Sequence, residues 1–298
     1  MKRGAVIGIA AGAVGLVVAG GAAWWLLSRP PTAEQTAEAY LHALADGDAS
    51  AVHDLIDGEP DGWNQVAEAF EGADEYVTDY RFELADDDSV RADVSLGGEP
   101  VTVGFTLTET GAGWRISGDY LATLAVTTTI GDSVRVGGAL VAVGDVNLLP
   151  AVYAIAAAPA GIVDGATTAA VTNAAPVAAA VEASVSPDGV LAAQEQLDAY
   201  LADCTKAAAA VPPDCGLRVP WAADLATLDA IAFRVDTAPT FALSPDARSF
   251  AATGGVVVAT ATGTTRAGTA GSFTYRADDW AVRGTVTFAG DRMTLGVG

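Results

Sequence analysis

Two imidazoles and two thiols are all that these 298 residues offer for soft nucleophilic or soft-metal chemistry: His42, His53, Cys204 and Cys215. An imidazole can serve as a base near neutral pH or as a metal ligand, but only when a partner group orients it. His42 lies two positions from both Tyr40 and Leu44 of an expected helix, opposite the apolar stripe, and is expected to face solvent. His53 flanks Val52 on a short helix with Asp54 beside it. The sequence contains no G-x-S-x-G, S-x-x-K, H-E-x-x-H, G-x-x-x-x-G-K-[ST] or C-x-x-C. No catalytic residue, cofactor-binding residue or metal ligand is therefore assigned, and the chain reads as non-enzymatic. The missing S-x-x-K also excludes a transpeptidase centre on this chain.

Cys204 and Cys215 lack redox-motif spacing. Cys204 shares a helix face with Leu197 and Leu201, and Pro212-Pro213 turns the chain back before Cys215. In an oxidising exterior such a lone pair predicts one structural disulfide, worth roughly 3 kcal/mol for a loop of this length.

Carboxylates are the abundant reactive type. Residues 32–121 hold 21 acidic against 3 basic side chains, and residues 122–298 hold 16 against 9. Asp46, Asp48, Ser50 and Asp57 occupy positions 1, 3, 5 and 12 of an EF-hand-like loop, but Ala51 stands where the sharp turn needs glycine. Asp86-Asp87-Asp88 at a hairpin tip offers a weak cation site of another kind. The favoured expectation is a solvated acidic surface that binds no metal and avoids anionic wall polymers. The formal charge of −22 excludes nucleic acid as a partner.

The elements that must hold these groups begin with a run of 24 uncharged residues, Gly4 to Leu27, preceded by Lys2 and Arg3 and ending near Trp24 and Trp25. At 1.5 Å per helical residue the run reaches roughly 36 Å, enough for a hydrocarbon core of about 30 Å. A transmembrane helix over 4–27 follows, with residues 1–3 as a cytoplasmic tail by the positive-inside rule and the remainder extracytoplasmic. A cleaved signal peptide would have a shorter apolar region and a small-x-small site after it. Gly4, Gly8 and Gly12 share one helix face, the pattern that lets two spans pack as a homodimer. Thirteen arginines against two lysines, with abundant alanine, suit a GC-rich bacterial genome.

Past the run, Thr32 and Gln35 form a capping box before Ala33, Ala37, Tyr40, Leu41 and Leu44 at helical spacing. Asp48 and Asp61 are placed to cap two further helices, the second carrying Trp63, Val66 and Phe70. From Thr78 the period changes to two, with Tyr80, Phe82 and Leu84 on one face, and three more strands follow to Ile116. Further on, Ser186-Pro187 opens a helix with Val190, Leu197, Leu201 and Cys204 as its expected stripe, and alternating strands continue to Val297.

The helix Ala33–Leu41, the Asp46-Gly47-Asp48 junction and the strand Gly113-Trp114-Arg115-Ile116-Ser117 give residues 32–121 a resemblance to the NTF2-like superfamily. That resemblance implies a cone-shaped α+β domain of a kind found in membrane-anchored modules and beside penicillin-binding domains. It also implies an interior where Tyr80 and Tyr40 would line any pocket, the rest being apolar. Val134-Arg135-Val136-Gly137-Gly138 and Leu148 through Ile155 resemble a PEGA-type β-sandwich over 122–185, with Ala151 in place of that signature's glycine. Residues 186–298 form a third, α+β part with the disulfide loop. As a whole the chain resembles uncharacterised actinobacterial cell-envelope proteins.

The expected fold class is thus α+β, and the expected function is a non-enzymatic, single-pass membrane-anchored envelope protein whose outward modules bind a protein or cell-wall partner, without a cofactor. The alternatives are an NTF2-like domain that binds a small ligand or carries an activity, and an accessory factor of peptidoglycan synthesis.

Overall fold

The computed structural model describes residues 30–298. The Gly4–Leu27 span and its Gly4, Gly8 and Gly12 face lie outside them. Among the described residues no helix is long and apolar enough to cross a membrane.

The α+β expectation is corrected: the protein is mainly β, with 51% strand against 19% helix, and includes a half-barrel sheet. Alanine-rich stretches such as 151–157 and 177–181 favour helix by intrinsic propensity, yet they lie in strands. Their alternating burial against a shared core outweighs the local preference, because tertiary packing contributes more than propensity over short segments.

Three helices open the described chain: α1 (Ala33–Asp46), α2 (Ala49–Leu55) and α3 (Trp63–Glu71). Thr32 and Gln35 cap α1 reciprocally, and Asp48 Oδ1 accepts the Ala51 N–H to start α2. Between them Gly47 adopts a φ of 68°, and a side chain there would collide with the ring of Tyr76. Asp61 does not cap α3; the left-handed Gly62 precedes it without a side-chain bond.

A meander follows, with β1 (Thr78–Leu84), β2 (Ser89–Leu96), β3 (Glu99–Thr110) and β4 (Gly113–Gly118) in sequential order. Its inner face buries Val90, Ala92, Val94, Val103, Phe105 and Ile116 against α1 and its neighbours. In β1 a bulge at Asp79, with φ at 51°, breaks the expected alternation, and Leu84 is 38% exposed instead of buried.

Residues 122–185 build two facing sheets. One has the order β11 (Ala166–Val171), β9 (Ala151–Ala157), β6 (Ser133–Val136), β7 (Ala139–Ala142); the other runs β12 (Val177–Val181), β5 (Ala122–Thr128), β8 (Gly144–Leu148). The β12–β5 pair is parallel. The two-residue strands β10 (Val163–Asp164) and β13 (Ser184–Val185) close one end.

The remainder holds α4 (Pro187–Cys204), β14 (Leu225–Thr237), β15 (Thr240–Leu243), β16 (Ser249–Thr265), β17 (Ala270–Ala289) and β18 (Arg292–Val297), all five strands in one antiparallel sheet. Ser186 caps α4 through the Gly189 N–H at 2.8 Å. Ala193, Leu197, Leu201 and Cys204 form its buried stripe, whereas Val190, expected there, is 39% exposed. Spacing by fours carries the stripe back to Gly189, which abuts the Ile162 carbonyl.

One apolar core runs through all three parts, and a second small cluster of Leu225, Ile231, Ala259 and Ala261 fills the far end of the last sheet. Residues 205–224 cross that end, with Ala208 bridged to Ile231. The disulfide Cys204–Cys215, Cα atoms 5.7 Å apart, ties this crossing to α4, and the Trp280 indole donates to Cys215 O at 2.8 Å.

Replacing both cysteines by alanine is expected to cost about 3 kcal/mol of unfolding free energy. Hydrogen exchange should place the loss in residues 205–224 and β14. A second contact carries a pH signature. Asp132 accepts the Gly290 N–H at 2.9 Å and the Ser133 hydroxyl at 2.8 Å, and these bonds, that from Gly290 first, hold its carboxyl below the ordinary range. A depressed carboxyl contributes stability that is complete above its unfolded value, near pH 4, and lost as the pH falls through the folded value. Asp132→Asn should therefore lower stability at neutral pH, change it little below the folded value, and so flatten the acid limb of the stability profile, as read by denaturant titration.

Candidate functional site

The outer face of the β1–β4 sheet, turned away from the helices, carries a cleft of about 830 Å³. Strand pairing sets its floor: Glu83 lies opposite Arg91, Arg91 opposite Gly104, and Ser89 opposite Thr106. Gly104 contributes no side chain, so the floor is open between Arg91 and the hydroxyls of Thr102 and Thr106. Asp119 and Leu121 form one wall, and Asn173 with Ala174, from the turn between β11 and β12, form the other.

Asn173 is the residue that shapes this wall. Its Oδ1 accepts the Gly104 N–H at 3.1 Å, and its Nδ2 donates to the carbonyls of Gly104 and Asp119. β4 pairs with β3 only as far as Thr106, so the main chain of Gly104 would otherwise have no neighbour on that side. A side-chain amide thus continues a β-ladder and joins the first sheet to the middle sandwich.

The cleft is electrostatically mixed. Arg91 is exposed, and among the described residues it has no carboxylate within ion-pairing distance. Thr102 donates to Asp93 at 3.1 Å, and Thr106 shares a 3.3 Å bond with Ser117. At the hairpin tip Asp87 accepts both the hydroxyl of Ser89 at 2.6 Å and its N–H at 3.2 Å, which lowers its carboxyl below the ordinary range. Asp87 therefore faces its own turn, while Asp88 takes a left-handed φ of 59°. Among the described residues no three His, Cys, Asp or Glu side chains are gathered to hold a metal ion.

The groups singled out from the sequence are dispersed. Tyr40 is 1% exposed, stacked edge-on against Phe105 at 4.6 Å, with its hydroxyl 3.4 Å from Tyr120 O. Burial, aided by Tyr120, raises its phenol far above the ordinary value. With Leu41, Leu44 and Ile116 it fills the space between helices and sheet. Tyr80 is half-buried and edges a different groove, formed with Glu34, Glu38, Arg81, Phe82 and Leu84. His42 pairs with Asp46 at 2.8 Å on the surface of α1. His53 stacks on Trp63 at 5.2 Å and faces an open depression shared with Asp57 and Arg115, whose guanidinium donates to Asp54 O. Of the EF-hand-like set, Asp48 is spent on capping α2 and Asp57 N–H donates to Ile116 O at 2.7 Å.

Sequence reasoning missed Arg91 and Asn173. The available signal was slight: Asn173 is one of three asparagines, set in an alanine- and threonine-rich tract ahead of Pro176. No protein-family model, no curated protein and no solved structure matches this chain. The resemblances to NTF2-like and PEGA-type domains rest on the residues quoted for them.

Asn173→Ala removes three hydrogen bonds and strands the Gly104 main chain. It should cost about 2 kcal/mol in chemical denaturation, with faster amide exchange at Gly104 as the local readout.

Proposed function

We infer that this is a non-enzymatic, single-pass membrane-anchored protein of the cell envelope whose extracytoplasmic parts bind a protein or cell-wall partner. The observation that carries the reading is the cleft over Gly104. It is wide, it is walled by two different parts of the chain, and it offers an exposed guanidinium, hydroxyls, an amide and carboxylates rather than an assembled nucleophile and base. The uncharged run Gly4–Leu27 supports the anchoring, and the Cys204–Cys215 disulfide supports an oxidising location. The acidic excess of residues 32–121 favours partners that are neutral or basic.

Two measurements test this. Alkaline carbonate washing should leave the full-length chain in the membrane pellet. A photoreactive residue in place of Arg91 should cross-link a discrete envelope component that is absent when the same group replaces Thr262, which is exposed on the last sheet. Recovery of the intact chain in the soluble fraction, or identical cross-links from both positions, would overturn the reading.

A further inference from the structure

The first sheet has two edges, and they are treated differently. At β4 the edge is closed: Ile56 forms a parallel bridge to Ile116, and Asp57 N–H donates to Ile116 O. At β1, among the described residues, only β2 pairs with the strand, and the other side is free.

The pattern of bonds fixes which main-chain groups are unpartnered there. Gly104 turns its N–H and C=O toward Asn173, so its pairing with Arg91 is of the non-hydrogen-bonded kind. Arg91 must then bond toward β1, to Glu83, and the Ala85 N–H donating to Ser89 O keeps the same alternation. Phe82 and Leu84 are left with their N–H and C=O groups directed outward.

Both faces beside this edge are hollow. On the helix side a groove of about 600 Å³ separates β1 from α1, lined by Tyr80, Arg81, Phe82 and Leu84 and rimmed by Glu34 and Glu38. On the outer face lies the cleft, with Glu83, Leu84 and Ala85 at its near end. An extended segment laid along β1 would place alternate side chains into these two hollows, since successive residues of a strand point to opposite faces.

Resting on the partner-binding reading above, we propose that β1 accepts a strand from a basic, extended segment of a partner protein, which joins the sheet as a fifth strand between the α1 groove and the Gly104 cleft. Charge selects the occupant. Arg81 is the one cation lining the groove, but Glu34 and Glu38 are exposed with no basic side chain within ion-pairing distance among the described residues, and with Glu83 the carboxylates beside the edge outnumber it three to one. Lysine or arginine stems would cover Phe82 and Leu84 while their charged ends reach these carboxylates. A second copy of this chain is disfavoured because pairing β1 with β1 would bring Glu34, Glu38 and Glu83 of both copies together against a single Arg81 from each.

The test uses the full-length chain in detergent micelles and a short capped peptide alternating Lys and Val. Binding should protect the amides of Phe82 and Leu84 from hydrogen exchange. The joint Glu34→Gln and Glu38→Gln variant, both on the exposed face of α1, should weaken binding about tenfold. N-methylation of alternate peptide amides, which keeps the charge and removes main-chain donors, should abolish it. Equal binding of the N-methylated peptide, or protection elsewhere than β1, would overturn the proposal. An Arg91 cross-link to a wall glycan with no protection of β1 would refute strand addition and leave the partner-binding reading standing.

Discussion

The arrangement depends on a place where main chain meets main chain with nothing between. The end of α3 lies directly on the turn between β6 and β7, and a side chain at Gly72 would overlap Gly137 O while one at Gly137 would overlap Ala69 O. Only glycine permits such an approach, and Gly137 also takes a φ of 54° that suits it. Once the two are in contact, the neighbouring bonds fall into place: Gln65 Nε2 donates to Leu140 O at 2.6 Å, and Glu75 pairs with Val152 as an isolated bridge. Tyr76 donates to the carbonyls of Phe70 and Glu71, closing the end of α3 on the same spot. The helices are thereby pinned to the sandwich on one side of the first sheet, and Asn173 pins its other side. The cleft exists because these two attachments leave the outer sheet face uncovered between them.

The last part is held by a different kind of contact. Asp132 and Arg135 reach the β17–β18 turn through Gly290 and Asp291, the ion pair measuring 2.6 Å. Gln196 and Gln194 tie α4 to Met293 and Phe241 through main-chain groups. Exposed ion pairs contribute little to stability by themselves, so the shared apolar core remains the main connection and these polar contacts set its orientation.

Much of the local structure was legible because its signals are local. The Thr32–Gln35 box, the Asp48 cap and Ser186-Pro187 each satisfy helix ends within three residues, and the disulfide followed from Pro212-Pro213 between two cysteines. The predominance of strand was not legible, since alanine-rich runs reveal their state only through what they pack against. Leu84 and Val190 are exposed for positional reasons: Leu84 shares the inner face with Phe82 but ends an edge strand opposite Val90, and Val190 lies off a helical stripe that steps by fours back to Gly189. The candidate site was hidden almost entirely. It joins Arg91 to Asn173 through Gly104, 69 positions from that asparagine, and nothing in a single sequence pairs residues over such a distance.

The parallel pairing of β12 with β5 sets an order on how the chain can mature. β5 buries Leu124 and Val126, yet one flank stays open until the strand that covers it exists, as the Thr127 to Ala179 bond across 52 positions shows. Long-range closures of this type are slow and leave apolar surface uncovered in the interval. A polypeptide emerging amino end first must therefore carry an unfinished layer through the synthesis of the whole middle sandwich, and whatever shelters nascent chains in its compartment would be needed most at that stage.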